Sequence, residues 1–173
     1  MKGRGSLQHE IGQRRPFASV EQEGVLGLLR TADVVRRRLS RAVEPRGLTL
    51  QQYNVLRILR GTGASGLPTL DVAARMIERA PGITRLLDRI EAKGLVQRRR
   101  CPRDRRRVLC SITGSGLALL ARLDLVVASL DRTALGGLRP AQTLRLVGLL
   151  DAVRAGRVSP PSSSTRKEKE KRS

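Results

Sequence analysis

The chain has 173 residues, with 35 Lys and Arg against 15 Asp and Glu and a net charge of +20. Such an excess implies nucleic acid, an anionic membrane surface or another polyanion as partner. No apolar run approaches the roughly 20 residues of a membrane-spanning helix, and the only aromatic residues are Phe17 and Tyr53, which argues against the base-stacking sheets of single-strand and RNA binders.

The N-terminus, MKGRGSLQHEIGQRRPF, has no apolar signal core, and two cysteines do not make a disulfide framework. The expected compartment is therefore the cytoplasm. Residues 1–20 read as a disordered basic tail. Residues 159–173, SPPSSSTRKEKEKRS, read as a second, charged tail. Each tail carries a net +3, so +14 stays with the part between them.

Glu21 to about Glu44 reads as a long helix, with Val25, Leu28, Leu29, Val35 and Leu39 giving most of an apolar stripe and Pro45–Arg46–Gly47 stopping it. Thr49 and Gln52 then form a T-x-x-Q capping box, with Leu48 and Tyr53 placed for the hydrophobic staple. Val55, Leu56, Ile58 and Leu59 fill the core side of this second helix. Leu67–Pro68 reads as a minimal strand. Thr69 is the expected cap of a short helix whose Val72, Ala73, Met76 and Ile77 point inward. Glu78–Arg79–Ala80 links it to the next helix.

That helix, expected over residues 81–93, has Ile83, Leu86, Leu87 and Ile90 on one stripe. The opposite face carries Pro81, Arg85 and Asp88, flanked by Thr84 and Arg89. Pro81 suits the first helical position. Gly82 allows close backbone approach, and Gly94 is the expected left-handed stop. Two short helices joined by a tight link make a helix-turn-helix, the second being the reader.

Leu95–Arg100 and Val108–Ile112 can pair as strands around the turn CPRDRRR. Seven of the ten residues from Arg98 to Arg107 are Arg, and Asp104 is the single acid. Guanidinium groups repel one another, and surface pairs return little stability, so this density expects an external polyanion. A helix followed at once by a basic hairpin suits major-groove reading by the helix and minor-groove or backbone contact by the hairpin.

Thr113–Gly114–Ser115–Gly116 opens another long helix, with Leu117, Leu120, Leu123, Val127 and Leu130 along it. Gly136–Gly137 breaks it, and Pro140 starts a last helix bearing Leu144, Val147, Leu150 and Val153. Long apolar helices over 21–45 and 117–155 exceed what the small module at 48–113 needs for cover, and they read as a homodimerisation layer.

The stretch from Gly94 to Gly116 resembles the wing of the MarR family of bacterial transcription regulators. That pattern is a glycine and two apolar residues, basic residues, D-P-x-D-R-R, and an apolar strand closing in L-T-x-x-G. Here it stands as Gly94–Leu95–Val96, Arg98–Arg99–Arg100, Cys101–Pro102–Arg103–Asp104–Arg105–Arg106, Val108–Leu109 and Ile112–Thr113–Gly114–Ser115–Gly116. Cys101 stands where an acid is common, and Ala80 where a Ser or Thr cap is common. The order of elements matches from about 21 to 156.

The resemblance implies a mainly α fold with a small β-hairpin wing (α+β), a winged helix-turn-helix with N- and C-terminal dimerisation helices, in a domain over 21–158. It implies a double-stranded DNA partner with a pseudo-palindromic operator, gene repression or activation, and a small-molecule effector held between the dimer helices and the reading module. The expected DNA contacts are Pro81, Gly82, Thr84, Arg85, Asp88 and Arg89 from the helix, and Arg98, Arg99, Arg103, Asp104, Arg105 and Arg106 from the wing. Arg106 is expected in the minor groove, oriented by Asp104, while Thr69 and Arg79 meet the backbone.

Two alternatives stand beside this reading. One is a nucleic-acid-coating or ribosome-associated protein without sequence choice. The other is redox sensing through Cys101 as a thiolate among arginines. With the turn centred on Asp104, Cys101 faces Arg107 and Cys110 faces Arg98, too far apart for a disulfide. No metal-ligand spacing, P-loop or G-x-S-x-G appears, and the single His9 lies in the tail, so neither an enzyme nor a cofactor is expected.

Overall fold

A computed structural model describes residues 7–102, 104 and 106–156. The chain separates into two compact units, Met1–Arg132 and Thr133–Ser173.

In the first unit, reciprocal side-chain caps write the starts of two helices. The Gln22 N–H donates to Ser19 Oγ at 3.2 Å, and the Ala18 N–H donates to Gln22 Oε1 at 2.7 Å. From there α2 runs over Val20–Val43, and a 3₁₀ turn, Glu44–Arg46, ends at Gly47 with φ 71°. The tail expected over residues 1–20 is in part ordered: Leu7–Glu10 forms a one-turn helix, α1. Two features of α2 hold it. A Cβ on Gly27 would lie 3.8 Å from Leu7 Cδ2, so Leu7 rests over bare backbone. Arg30 donates to Glu10 at 2.8 Å.

The Thr49–Gln52 capping box opens α3 (Leu50–Arg60), with bonds of 3.1 and 3.2 Å. Leu48 and Tyr53, the staple pair, are both buried. Strand β1 (Leu67–Pro68) leads into α4 (Thr69–Ala74). Helix α5 spans Ile83–Ala92. Strands β2 (Val96–Arg100) and β3 (Val108–Ile112) complete an antiparallel sheet of order β1-β3-β2. In its register Arg98 faces Cys110, and the Cys101 N–H donates to the Arg107 carbonyl at 2.9 Å. The hairpin is thus the one expected around Asp104, and both cysteines are free.

Three local expectations need correction. The reading helix starts at Ile83 rather than at residue 81, because Gly82 takes φ 86° and becomes its N-cap, leaving Pro81 in the preceding turn. Thr69 does not cap α4; its hydroxyl lies 3.6 Å from the Cys110 sulfur, and Pro68 precedes the helix without a side-chain cap. Ile77 does not point inward but is 82% exposed. Helix α4 has ended at Ala74, so the helical spacing no longer governs Ile77, whose N–H donates to Asn54 Oδ1.

One core unites these pieces. Leu56, Leu59, Val72, Leu87, Ile90, Cys110 and Leu120 are fully buried in it. Each large apolar side chain so placed contributes about 1.5–3 kcal/mol. Helix α6 (Gly114–Ala134) meets the wing through the T-x-x-G step. Thr113 Oγ1 accepts from the Gly116 N–H at 3.1 Å and donates to the Gly94 carbonyl at 2.7 Å. A Cβ on Gly116 would stand 2.4 Å from the Leu95 carbonyl oxygen, so only glycine fits.

In the second unit, α7 (Pro140–Ala155) starts with Pro at its first turn and ends at Gly156 with φ 51°. It has no buried residue. The fold is mainly α with a small β-hairpin wing, a winged helix-turn-helix between long N- and C-terminal helices.

Candidate nucleic-acid interface

Helix α5 presents two unlike faces. Leu87 and Ile90 are fully buried, with Ile83 and Leu86 packed beside them. Thr84, Arg85, Asp88 and Arg89 are exposed, as the spacing predicts. No side chain caps the helix start, so its first N–H groups stay open beside the exposed Pro81 and Gly82. Lys93 anchors the other end, donating to the Gly47 carbonyl and, at 3.2 Å, to Gln52 Oε1. The reader is thereby tied to the cap of α3.

The wing divides into a braced base and an open end. Arg98 and Asp88, both expected at the DNA, are committed to each other. Arg98 Nη2 lies 2.6 Å from Asp88 Oδ1 and 2.6 Å from Glu91 Oε2. The Arg98 backbone N–H also donates to Glu91 Oε1 at 2.9 Å, and Nε donates to Oε2 at 2.8 Å. The hydrogen bonds to Glu91 are the main reason that the Arg98 guanidinium holds its proton more tightly than usual. Its side chain is 23% exposed. Sequence reasoning missed Glu91 because its bond crosses from helix to strand.

Past this brace, Arg99, Arg100 and Arg106 are exposed. Among the described residues, they and Arg79, Arg85 and Arg89 make no ion pair. Asp104 does not grip the Arg106 guanidinium. Its Oδ1 accepts the Arg106 backbone N–H at 3.0 Å, and its carbonyl accepts the Arg107 N–H at 3.0 Å. This is an Asx turn: the acid shapes the main chain and leaves the guanidinium unbound. Arg103 and Arg105 lie outside the described residues. Arg107, absent from the expected contacts, reaches Asp71 of α4 at 3.4 Å.

An open groove runs between wing and helices, lined by Thr69, Asp71, Thr84, Arg106 and Arg107 among others. Thr69 faces this groove half-buried beside Cys110, so it is less open to a backbone contact than expected. Cys110 is fully buried, and that burial pushes its thiol pKa up. Cys101 is half-buried in the wing turn. Among the described residues, no group of His, Cys, Asp and Glu could hold a metal ion, and no helix is long and apolar enough to cross a membrane.

Comparison with known proteins places these features in one lineage. The MarR family model matches residues 48–108, from the α3 cap to the wing. The transcriptional activatory protein BadR of Rhodopseudomonas palustris is 38% identical over 90 residues, 51% of this chain and 51% of that protein. The chain spans 61% of a second curated relative, at 31% identity. The crystal structure of a MarR transcription factor from Planctomyces limnophilus is 38% identical, with a TM-score of 0.61, covering 79% of this chain and 99% of that one. Sco3205 of Streptomyces coelicolor, solved in complex with DNA, shares the fold at 22% identity and a TM-score of 0.72, over 88% of this chain and 96% of its own. The chain belongs to the MarR family of transcription regulators.

Proposed function

We propose that the chain is a sequence-specific double-stranded DNA-binding regulator that acts as a homodimer in the cytoplasm. Helix α5 enters the major groove with Thr84 and Arg85 toward base edges. The wing lies along the minor groove through Arg99 and Arg106, and Arg79 and Arg89 meet phosphates. One observation carries this reading: exposed arginines without acidic partners are gathered on one helix face and one hairpin, while the nearby Arg98 and Arg107 take up the acids. Exposed, unneutralised guanidinium groups on two adjoining elements match a duplex, whose charge repeats about every 1.7 Å along its axis.

Dimerisation rests on apolar side chains left open on the long helices. Val25 and Leu29 of α2 are 58% and 62% exposed, and Leu144 of α7 is 75% exposed. Two copies place two reading helices about one DNA turn apart, roughly 34–36 Å, which calls for a pseudo-palindromic operator. A dimer seated on such a site within a promoter blocks the polymerase, so repression is the simplest output. Family membership adds a small-molecule effector that releases the DNA.

The test is binding of the purified protein to the duplex just upstream of its own gene, at several salt concentrations, with bulk DNA as competitor. Sequence-specific recognition expects that duplex to resist competition by random DNA. Equal displacement by random DNA or RNA would favour a coating protein. An unchanged affinity after oxidation of Cys101 would remove the redox reading.

A further inference from the structure

We infer that Arg98, clamped between Asp88 and Glu91, is a specificity-determining positioning residue that fixes the wing's angle to the reading helix. This rests on the DNA-reading function proposed above and deepens it.

Three observations converge on Arg98. First, its place is a junction: it stands on β2, its two acids stand on α5, and Leu95 alone separates Gly94 from the strand. Second, the contact is multiple. Glu91 takes both the backbone N–H and the guanidinium of Arg98, and Asp88 takes the guanidinium as well. A planar fork bound at several points resists rotation as well as stretch. Third, the group is not free for DNA: its side chain is 23% exposed, whereas Arg99 and Arg100 are open.

The clamp has leverage. From Arg98 to the turn at Pro102 the wing extends about 13 Å at 3.3 Å per residue. A tilt of about 10° at the base moves the turn by about 2 Å, while productive contacts need placement within about 0.5 Å. Helix and wing read two grooves at once, so their relative angle selects duplexes of matching groove spacing. The clamp also screens Asp88 and Glu91, two carboxylates on the DNA-facing side that would repel phosphate if left bare.

A positioning role separates cleanly from a phosphate contact. In Arg98→Lys the charge stays but the fork is lost, because one ammonium cannot reproduce the planar set of donors. The probes are the tightest duplex that the full chain selects from a random library and a scrambled duplex of equal length. Arg98→Lys is expected to lose about tenfold or more on the selected duplex, with binding to the scrambled duplex and the salt slope unchanged. Glu91→Gln attacks the clamp from the other side. It is expected to lose selectivity in the same way while gaining affinity for scrambled DNA, since net charge rises by one.

Melting temperatures of both variants accompany the titrations, and the drop in selectivity is expected to exceed anything a lower folded fraction gives, because unfolding weakens both duplexes alike. If the wild type discriminates and both variants discriminate equally well, the clamp inference is wrong and the function stands. If Arg98→Lys weakens both duplexes in parallel, selectivity does not depend on the clamp and the inference is also wrong. If the wild type does not discriminate at all, the reading of sequence-specific recognition falls, and the inference falls with it.

Discussion

Helices α5 and α7 leave unlike side chains open to solvent. In α5, Leu87 and Ile90 are fully buried and the open face is polar. In α7, Leu144, Val147, Leu149 and Val153 are 75, 51, 55 and 63% exposed. The first helix is completed by its own subunit and offers charge outward. The second carries exposed apolar side chains around its surface, which water does not favour. What each helix leaves open indicates the chemistry of its partner: a polyanion for α5, another apolar surface for α7.

The largest effect expected is on the completed side. Leu87→Ala empties a fully buried position and should cost about 2–5 kcal/mol of folding stability in denaturant melts. A cost under about 1 kcal/mol would mean that α5 is not held by this core, and the contrast with α7 would fail. Gly116→Ala tests the same side at the junction of wing and α6. Alanine usually favours a helix over glycine, by up to about 1 kcal/mol. Here the added methyl would meet the Leu95 carbonyl, and a net loss of about 1–3 kcal/mol is expected instead.

Substitutions on the open sides should spare folding and strike binding. Arg85→Ala should weaken the preferred duplex by about 1–3 kcal/mol and relax its sequence choice, with an unchanged melting temperature. Equal weakening on random DNA would assign Arg85 to phosphate. Leu144→Ala should leave subunit helicity intact but raise the dimer dissociation constant by roughly tenfold, or about 1.4 kcal/mol, in sedimentation. A dissociation constant that does not move would remove α7 from the dimer layer. The smallest effect contrasts the two thiols of the wing. Burial keeps the Cys110 thiol neutral and covered. An alkylating reagent at pH 8 should therefore label one cysteine per native chain, Cys101, and two after unfolding. Two labels in the native state would show that the wing base opens.

The legible parts of the sequence were those decided within a few residues. The Thr49–Gln52 cap, the Gly94 stop, the bounds of β3 and the pairing of Arg98 with Cys110 all follow from local periodicity or from the turn at Asp104. The open face of α5 was legible for the same reason. The residues whose surroundings could not be read are those with a neighbour out of sequence reach. Arg98 and Asp88 each look like a DNA contact when read along the chain, and only the folding of β2 against α5 turns them toward each other. Thr69 resembles a cap until β3 brings Cys110 beside it. Pro81 has the residue type of a first helical position, but Gly82 spends its left-handed freedom immediately after it and moves the start to Ile83. Asp104, expected to orient Arg106, acts on its main-chain N–H and not on its guanidinium, since an acid in a tight turn finds a main-chain donor first.

The strand order β1-β3-β2 also bears on how the protein behaves in solution before it meets any duplex. Within the described sheet β2 pairs with β3 alone, so its other side is a free edge of the kind that recruits a second strand and begins aggregation. Three successive arginines, Arg98, Arg99 and Arg100, lie on that strand, and the Glu91 carboxylate occupies the Arg98 backbone donor. Two copies approaching edge to edge meet like charges and a donor already taken. The residues at the base of the wing therefore oppose edge-to-edge pairing of copies, and apolar replacements at Arg99 or Arg100 are expected to lower solubility.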